Sequence, residues 1–209
     1  MPITQSVCIP ILPSMERSEL LREIAAIGYP AIEIWGRDEQ FSALCAEAAE
    51  HGLKIVSMIG HDSLPDGLNN RENHSRIEAE LRASIDIAVA SDVAGLICFS
   101  GNCIEGMGEE EAIENTVDGF LRIASYAEDQ GINLNLELLN SKIDHAGYQC
   151  DSTAWGLEVV ERVGSPRVKL LYDIYHMQIM EGDLIRTIQQ QSAAIGHFHT
   201  AGNPGRNDL

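Results

Sequence analysis

The strongest constraint in this sequence is an alternation of two textures. Seven short runs are apolar or rich in β-branched residues: SVCIPIL (Ser6 to Leu12), AIEIW (Ala31 to Trp35), KIVSMI (Lys54 to Ile59), GLICFS (Gly95 to Ser100), INLNLEL (Ile132 to Leu138), VKLLYDI (Val168 to Ile174) and IGHFHTA (Ile195 to Ala201). Between them lie SELLREIAAIG, FSALCAEAAEHG, RIEAELRASIDIAVASD, EEAIENTVDGFLRIASYAEDQG, AWGLEVVERVG and DLIRTIQQQSAA, whose apolar residues recur at helical spacing. Strand and helix in strict alternation predict parallel βα units, because a parallel neighbour is reached only by a crossover. The punctuation agrees. Gly28, Gly52, Gly131 and Gly164 stand where helices should close, and Asp151 and Ser152 stand at an N-cap position ahead of AWGLEVV. Glu109, Glu110 and Glu111 load the first turn of the fourth helix, which suits its dipole.

Seven strands in series admit two architectures. A doubly wound open sheet usually carries a Gly-rich phosphate loop after its first strand, but the loop here is PSMERSE and no GxGxxG follows any strand. The pattern therefore predicts an α/β fold of the (β/α)8 TIM-barrel class. A typical barrel needs about 250 residues, whereas this sequence has 209 and stops just after its seventh strand. The expectation is one domain over residues 1–209, C-terminally incomplete, with the last βα portion after strand 7 absent. No linker, low-complexity tract or charge block suggests a second domain.

The formal net charge of -18 speaks against a nucleic-acid partner, since no basic patch offsets it. Five cysteines without a CxxC pair, several in apolar runs, suggest a reducing compartment. MPITQSVCIP lacks the basic and apolar regions of a signal peptide, and no apolar run approaches the ~20 residues of a membrane span. A cytoplasmic location, away from membranes, is expected.

A parallel barrel places its active site at the C-terminal ends of its strands. The polar residues there are Trp35 and Arg37, His61 and Asp62, Asn102, Glu137 and Asn140, Asp173 and His176, and finally His197, His199 and Arg206. Glu137 lies in INLNLELLN, where Asn133, Asn135 and Glu137 share one strand face and Leu134, Leu136 and Leu138 the other. An unpaired acid in such a run is costly to bury, so it faces the barrel mouth or, alternatively, an exposed edge. Asp173 follows VKLLY and is either a site residue or a helix cap. His197 and His199, two apart, project to one face. Glu, Asp and His from three successive strands suit a divalent ion such as Mn2+, Mg2+ or Co2+. Such an ion polarises a carbonyl and holds an ene-diolate while a neighbouring carboxylate acts as base. HExxH, GxSxG, Walker A and zinc-type CxxC patterns are absent.

LELLNSKIDHAGYQCDSTAWG, VKLLYDIYHMQIMEGD and IGHFHTAGNPGR together resemble the hydroxypyruvate isomerase family, within the xylose-isomerase-like barrels that also include ketose 3-epimerases. The resemblance runs through the whole chain. It implies a metal site of Glu137, Asp173 and His199, with Glu137 also exchanging the substrate proton. It further implies that His176 and Arg206 bind substrate oxygens and that Trp35 and His61 shape the pocket. Some members of that family carry Gln where His199 stands, and His is usual in the epimerases. The eighth-strand Glu that would be fourth ligand and partner acid is not in this sequence. The expected activity is metal-assisted isomerisation or epimerisation of hydroxypyruvate or a small unphosphorylated hydroxy-carbonyl sugar. A ketose 3-epimerase or dehydratase on the same barrel, an endonuclease, and a non-catalytic truncated barrel serving as a binding module are the alternatives. The resemblance also implies a homo-oligomer paired through barrel helices.

Overall fold

In the computed structural model, which describes residues 3–207, each of the seven apolar runs contains a strand. These are β1 (Ser6–Cys8), β2 (Ala31–Glu33), β3 (Lys54–Ile59), β4 (Gly95–Cys98), β5 (Asn133–Glu137), β6 (Val168–Asp173) and β7 (Ile195–His199). All pair in parallel, in the order β1-β2-β3-β4-β5-β6-β7. The sheet curls far enough for Glu33 on β2 to hydrogen-bond His197 and His199 on β7. Among the described residues β1 and β7 do not pair and no eighth strand lies between them. The fold is thus the expected α/β barrel, with no last βα portion among the described residues.

The helices are α1 (Arg17–Ile27), α2 (Phe41–Glu50), α3 (His74–Ala90), α4 (Glu109–Leu121), α5 (Ala124–Gln130), α6 (Thr153–Val163), α7 (Ile174–Met180) and α8 (Leu184–Gln191). Their packing follows the strand alternation. Leu134, Leu136 and Leu138 are wholly buried on the helix side of β5. Above them Gly156 lets α6 approach closely, since a Cβ there would lie 2.8 Å from both Leu138 and Leu170. Ser152 caps α6 by accepting the Trp155 N–H, and Gly164 closes it in the left-handed conformation.

Three local departures have physical causes. The run SVCIPIL is a strand only to Cys8. Pro10 has no N–H for a ladder, and Ile9–Ile11 form a 3-10 turn instead. The long segment before β5 breaks at Ile123, whose φ of -123° departs from the helix. The break keeps Phe120, Ile123, Ala124 and Ala127 all buried against the core. Ile174, the last residue of the apolar run Val168 to Ile174, lies outside the strand and instead begins α7. Asp173 accepts the His176 N–H at 3.1 Å and so starts that helix. No helix among the described residues is long and apolar enough to cross a membrane.

Candidate metal centre and active site

Glu137 and Asp173 end β5 and β6, and His199 ends β7 directly opposite Asp173 in the register. Period-2 alternation turns all three side chains into the barrel mouth while their neighbours pack beneath the helices. Glu137 Oε1 lies 3.2 Å from His199 Nδ1, and Asp173 Oδ2 lies 3.7 Å from the same nitrogen. One ligand atom from each residue falls within 4.8 Å of the others. Burial, then the Glu137 charge, pushes the Asp173 carboxyl up to about 6. Two buried carboxylates and one imidazole nitrogen converging in this way fit a divalent cation, which would offset the repulsion between the acids. Asp173 serves two purposes at once, because Oδ1 caps α7 while Oδ2 faces the centre.

Glu33 is the residue that sequence reasoning missed. It is 4 % exposed at the end of β2. Its Oε2 accepts from His197 Nε2 at 2.8 Å and from His199 Nε2 at 3.1 Å, and its Oε1 accepts from Ser6 Oγ at 2.8 Å. Burial alone would raise this carboxyl. The hydrogen bonds and charge of the two histidines hold it well below the usual range. The His199 ring therefore bridges two carboxylates, Glu137 on one side and Glu33 on the other. Burial opposes its protonation, but those two hydrogen bonds raise it to about 11 in the ion-free protein. A signal for Glu33 was available: in AIEIW it is an acid between two isoleucines.

His176 is buried beside this cluster, with Nε2 3.7 Å from Asp173 Oδ2. Its tautomer follows from Asn140. The Asn140 Oδ1 accepts the N–H groups of Ile143 and Asp144 at 3.0 and 2.9 Å, which fixes the amide with Nδ2 outward. Nδ2 then donates to Asp144 at 2.6 Å and to His176 Nδ1 at 2.6 Å. With Nδ1 accepting, the neutral ring carries its hydrogen on Nε2, on the side of Asp173. Burial, then the charges of His145 and Arg206, lowers His176 to about 3, so it stays a neutral donor near pH 7. Arg206 stands at the edge, 3.2 Å from Asp144 Oδ1, with its guanidinium 4.3 Å from the centre of the Tyr175 ring.

The remaining two candidates are His61 and Trp35. His61 is buried, and both ring nitrogens meet the backbone: Nε2 accepts from Phe99 N–H at 3.0 Å and Nδ1 lies 3.1 Å from Asp62 O. Trp35 is 49 % exposed just beyond β2. A groove of ≈ 300 Å³ near it, lined by Ile9, Leu12, Met15, Phe41 and Leu44 among others, contains none of Glu137, Asp173 and His199.

Residues 21–208 match the family model of the xylose isomerase-like TIM barrel. The hydroxypyruvate isomerase of Escherichia coli is 32% identical over 60% of this chain and 48% of its own length. The D-psicose 3-epimerase of Agrobacterium fabrum is 41% identical over 86% of this chain and 65% of its own length. The chain thus spans about half of the first relative and under two thirds of the second in these matches. A crystal structure described as an AP endonuclease, family 2, from Brucella melitensis superimposes with a TM-score of 0.78 at 25% identity, covering 100% of this chain and 84% of that one. The isomerase and epimerase class expected from sequence is the class of the first two. The chain belongs to the xylose isomerase-like TIM-barrel family.

Proposed function

We propose that this chain is a metal-assisted isomerase or epimerase that moves a proton between adjacent carbons, or inverts one carbon, of a small unphosphorylated hydroxy-carbonyl compound. The observation that carries the reading is the convergence of Glu137, Asp173 and His199 Nδ1 at three successive strand ends. These three would hold a divalent ion, Mn2+ first and Mg2+ or Co2+ as alternatives. Bound there, the ion would supply Lewis-acid polarisation of the substrate carbonyl. Glu137 takes the proton from the carbon beside the carbonyl and returns it to the neighbouring carbon or to the other face. Loss of that proton leaves an ene-diolate, whose negative oxygen accepts a hydrogen bond from the Nε2–H of neutral His176. Asn140 keeps that hydrogen in place. Arg206, held by Asp144 and Tyr175, supplies positive charge at the mouth for a substrate oxygen. Trp35 would cover part of the entrance, and His61 would shape the pocket through the backbone it holds. By the family resemblance, a partner carboxylate would come from an eighth strand, which is not among the described residues.

A ketose 3-epimerase is the second reading, favoured by the 41% identity to the Agrobacterium fabrum D-psicose 3-epimerase. The net charge of -18 supports a small-molecule substrate over nucleic acid. Self-association through the barrel helices belongs to the same proposal and is checked by sedimentation.

The test is a panel of small ketoses and hydroxypyruvate in D2O with Mn2+, followed by NMR. Turnover should place solvent deuterium at the reacting carbon, and Glu137→Gln should abolish it with the circular dichroism unchanged. Near-normal exchange in that variant would sink the mechanism. Mn2+ binding without turnover of any compound would favour the non-catalytic binding module.

A further inference from the structure

The Glu33 carboxylate is saturated. It lies at the bottom of the barrel mouth, on the far side of the His199 ring from Glu137 and Asp173, and takes no part in the mechanism above. Three donors converge on it: Ser6 Oγ, His197 Nε2 and His199 Nε2, at 2.8, 2.8 and 3.1 Å. An ionised carboxylate only accepts, so both imidazole nitrogens that face it carry hydrogen. A neutral His199 with its hydrogen on Nε2 has its lone pair on Nδ1, the nitrogen 3.2 Å from Glu137 Oε1 and 3.7 Å from Asp173 Oδ2.

We propose that Glu33 is a positioning residue for the metal centre, fixing His199 in the tautomer and ring orientation that present Nδ1 to a divalent ion held with Glu137 and Asp173. This rests on the metal-centre reading given above. A carboxylate behind a ligating imidazole locks the ring and raises its basicity, and loss of such a partner typically weakens metal binding about 10–100-fold. His197 is the second clamp on the same oxygen. Its ring stands nearly perpendicular to that of His199, with centroids 5.3 Å apart, so Glu33 is held from two directions and cannot swing away with one histidine. Ser6, on β1, holds the other oxygen. The ligand-orienting group is thus assembled from the first, second and seventh strands.

The same three residues, Glu33, His197 and His199, lie close enough to hold an ion themselves. That arrangement would require both Nε2 atoms to be bare, and it would replace two hydrogen bonds of ordinary length. Stoichiometry separates the alternatives.

The full chain is titrated with Mn2+ by calorimetry, and with Cd2+ while isotopically labelled histidine is observed by NMR. The wild type should bind one equivalent. Cadmium coupling should appear at His199 Nδ1, with Nε2 still carrying its hydrogen. Glu33→Gln, which keeps one acceptor oxygen but loses the charge, should weaken Mn2+ about tenfold, and Glu33→Ala should approach 100-fold. Coupling at Nε2, two bound equivalents, or unchanged affinity in both variants overturns the assignment while leaving the metal centre standing. If Glu33→Ala does not fold, the wild-type spectrum still decides between the two nitrogens. A wild type that binds neither Mn2+ nor Cd2+ removes the metal-centre reading itself, and the role of Glu33 falls with it.

Discussion

Divalent-ion binding at pH 7 should expel about one proton from the protein, and His199 is its source. In the ion-free protein burial opposes protonation of this ring, but hydrogen bonds to Glu137 and Glu33 lift it to about 11, so it is cationic at neutral pH. A ligating imidazole must be neutral, so the ion competes with that proton. Asp173, at about 6, is already mostly ionised at pH 7 and should contribute only about a tenth of a proton. The gap of about four pKa units for His199 corresponds to roughly 5 kcal/mol of ion-binding free energy opposed by the proton at pH 7. The sign follows: raising the pH removes the competitor. The logarithm of the binding constant should climb by about one per pH unit above about 6, and more steeply below it, where Asp173 must also lose a proton. Calorimetric titration with Mn2+, at one pH in buffers of different ionisation enthalpy, counts the protons directly. About one is expected at pH 7, approaching two near pH 5. A heat independent of the buffer at pH 7 would mean that His199 is already neutral, and would refute the claim that the two flanking carboxylates keep it charged.

Other outcomes follow from single contacts. Asp173→Asn should keep the α7 cap, since Asn caps well, and change stability by under about 1 kcal/mol; Asp173→Ala should cost about 1 kcal/mol more in denaturant melts. Both should weaken Mn2+ binding at least about tenfold, because each removes a ligand charge; equal binding would take Asp173 out of the centre. Asn140→Leu leaves the Ile143 and Asp144 N–H groups without their acceptor and frees the His176 tautomer, so about 1–3 kcal/mol of stability should be lost and turnover should fall; unaltered turnover would show that the tautomer is set elsewhere. The thermal midpoint of the ion-free protein should decline from pH 7 to 9. The His199 contribution, with its folded pKa raised, is complete below 6.5 and fades as pH approaches about 11. In the other direction, the lowered pKa of His176 should cost stability as pH falls from 6.5 towards about 3. Saturating Mn2+ should remove the alkaline decline, because the ion-loaded ring is already neutral and loses no further proton in this range.

The alternation of textures made the strand series legible, because period-2 and helical spacing are local signals and the parallel crossover follows from them. Glu137, Asp173 and a histidine of the seventh strand were legible as neighbours for a related reason, while His199 rather than His197 was implied by the family resemblance. In a sequentially wound barrel, adjacency in order becomes adjacency in space. Glu33 was not, since its partners lie five strands away and only curling of the sheet brings them together. The α7 helix was hidden by its length: the seven residues IYHMQIM give too short a window for periodicity, and Asp173 reads equally as a site residue or a cap. The break at Ile123 carries no Gly or Pro to mark it. The orientation of Asn140 depends on two backbone N–H groups in a turn, a detail that composition does not encode.

The hydrogen bond between Glu33 and His199 joins residues 166 positions apart. Contacts of such long sequence separation form only after the entropy of closing the intervening chain has been lost, so they come late in folding, whereas helices form early. Ion uptake is then a clock for the refolding chain. In a stopped-flow experiment, high-affinity Mn2+ capture should lag the far-ultraviolet helix signal. The delay measures how long the sheet takes to bring its second and seventh strands within reach of one imidazole ring.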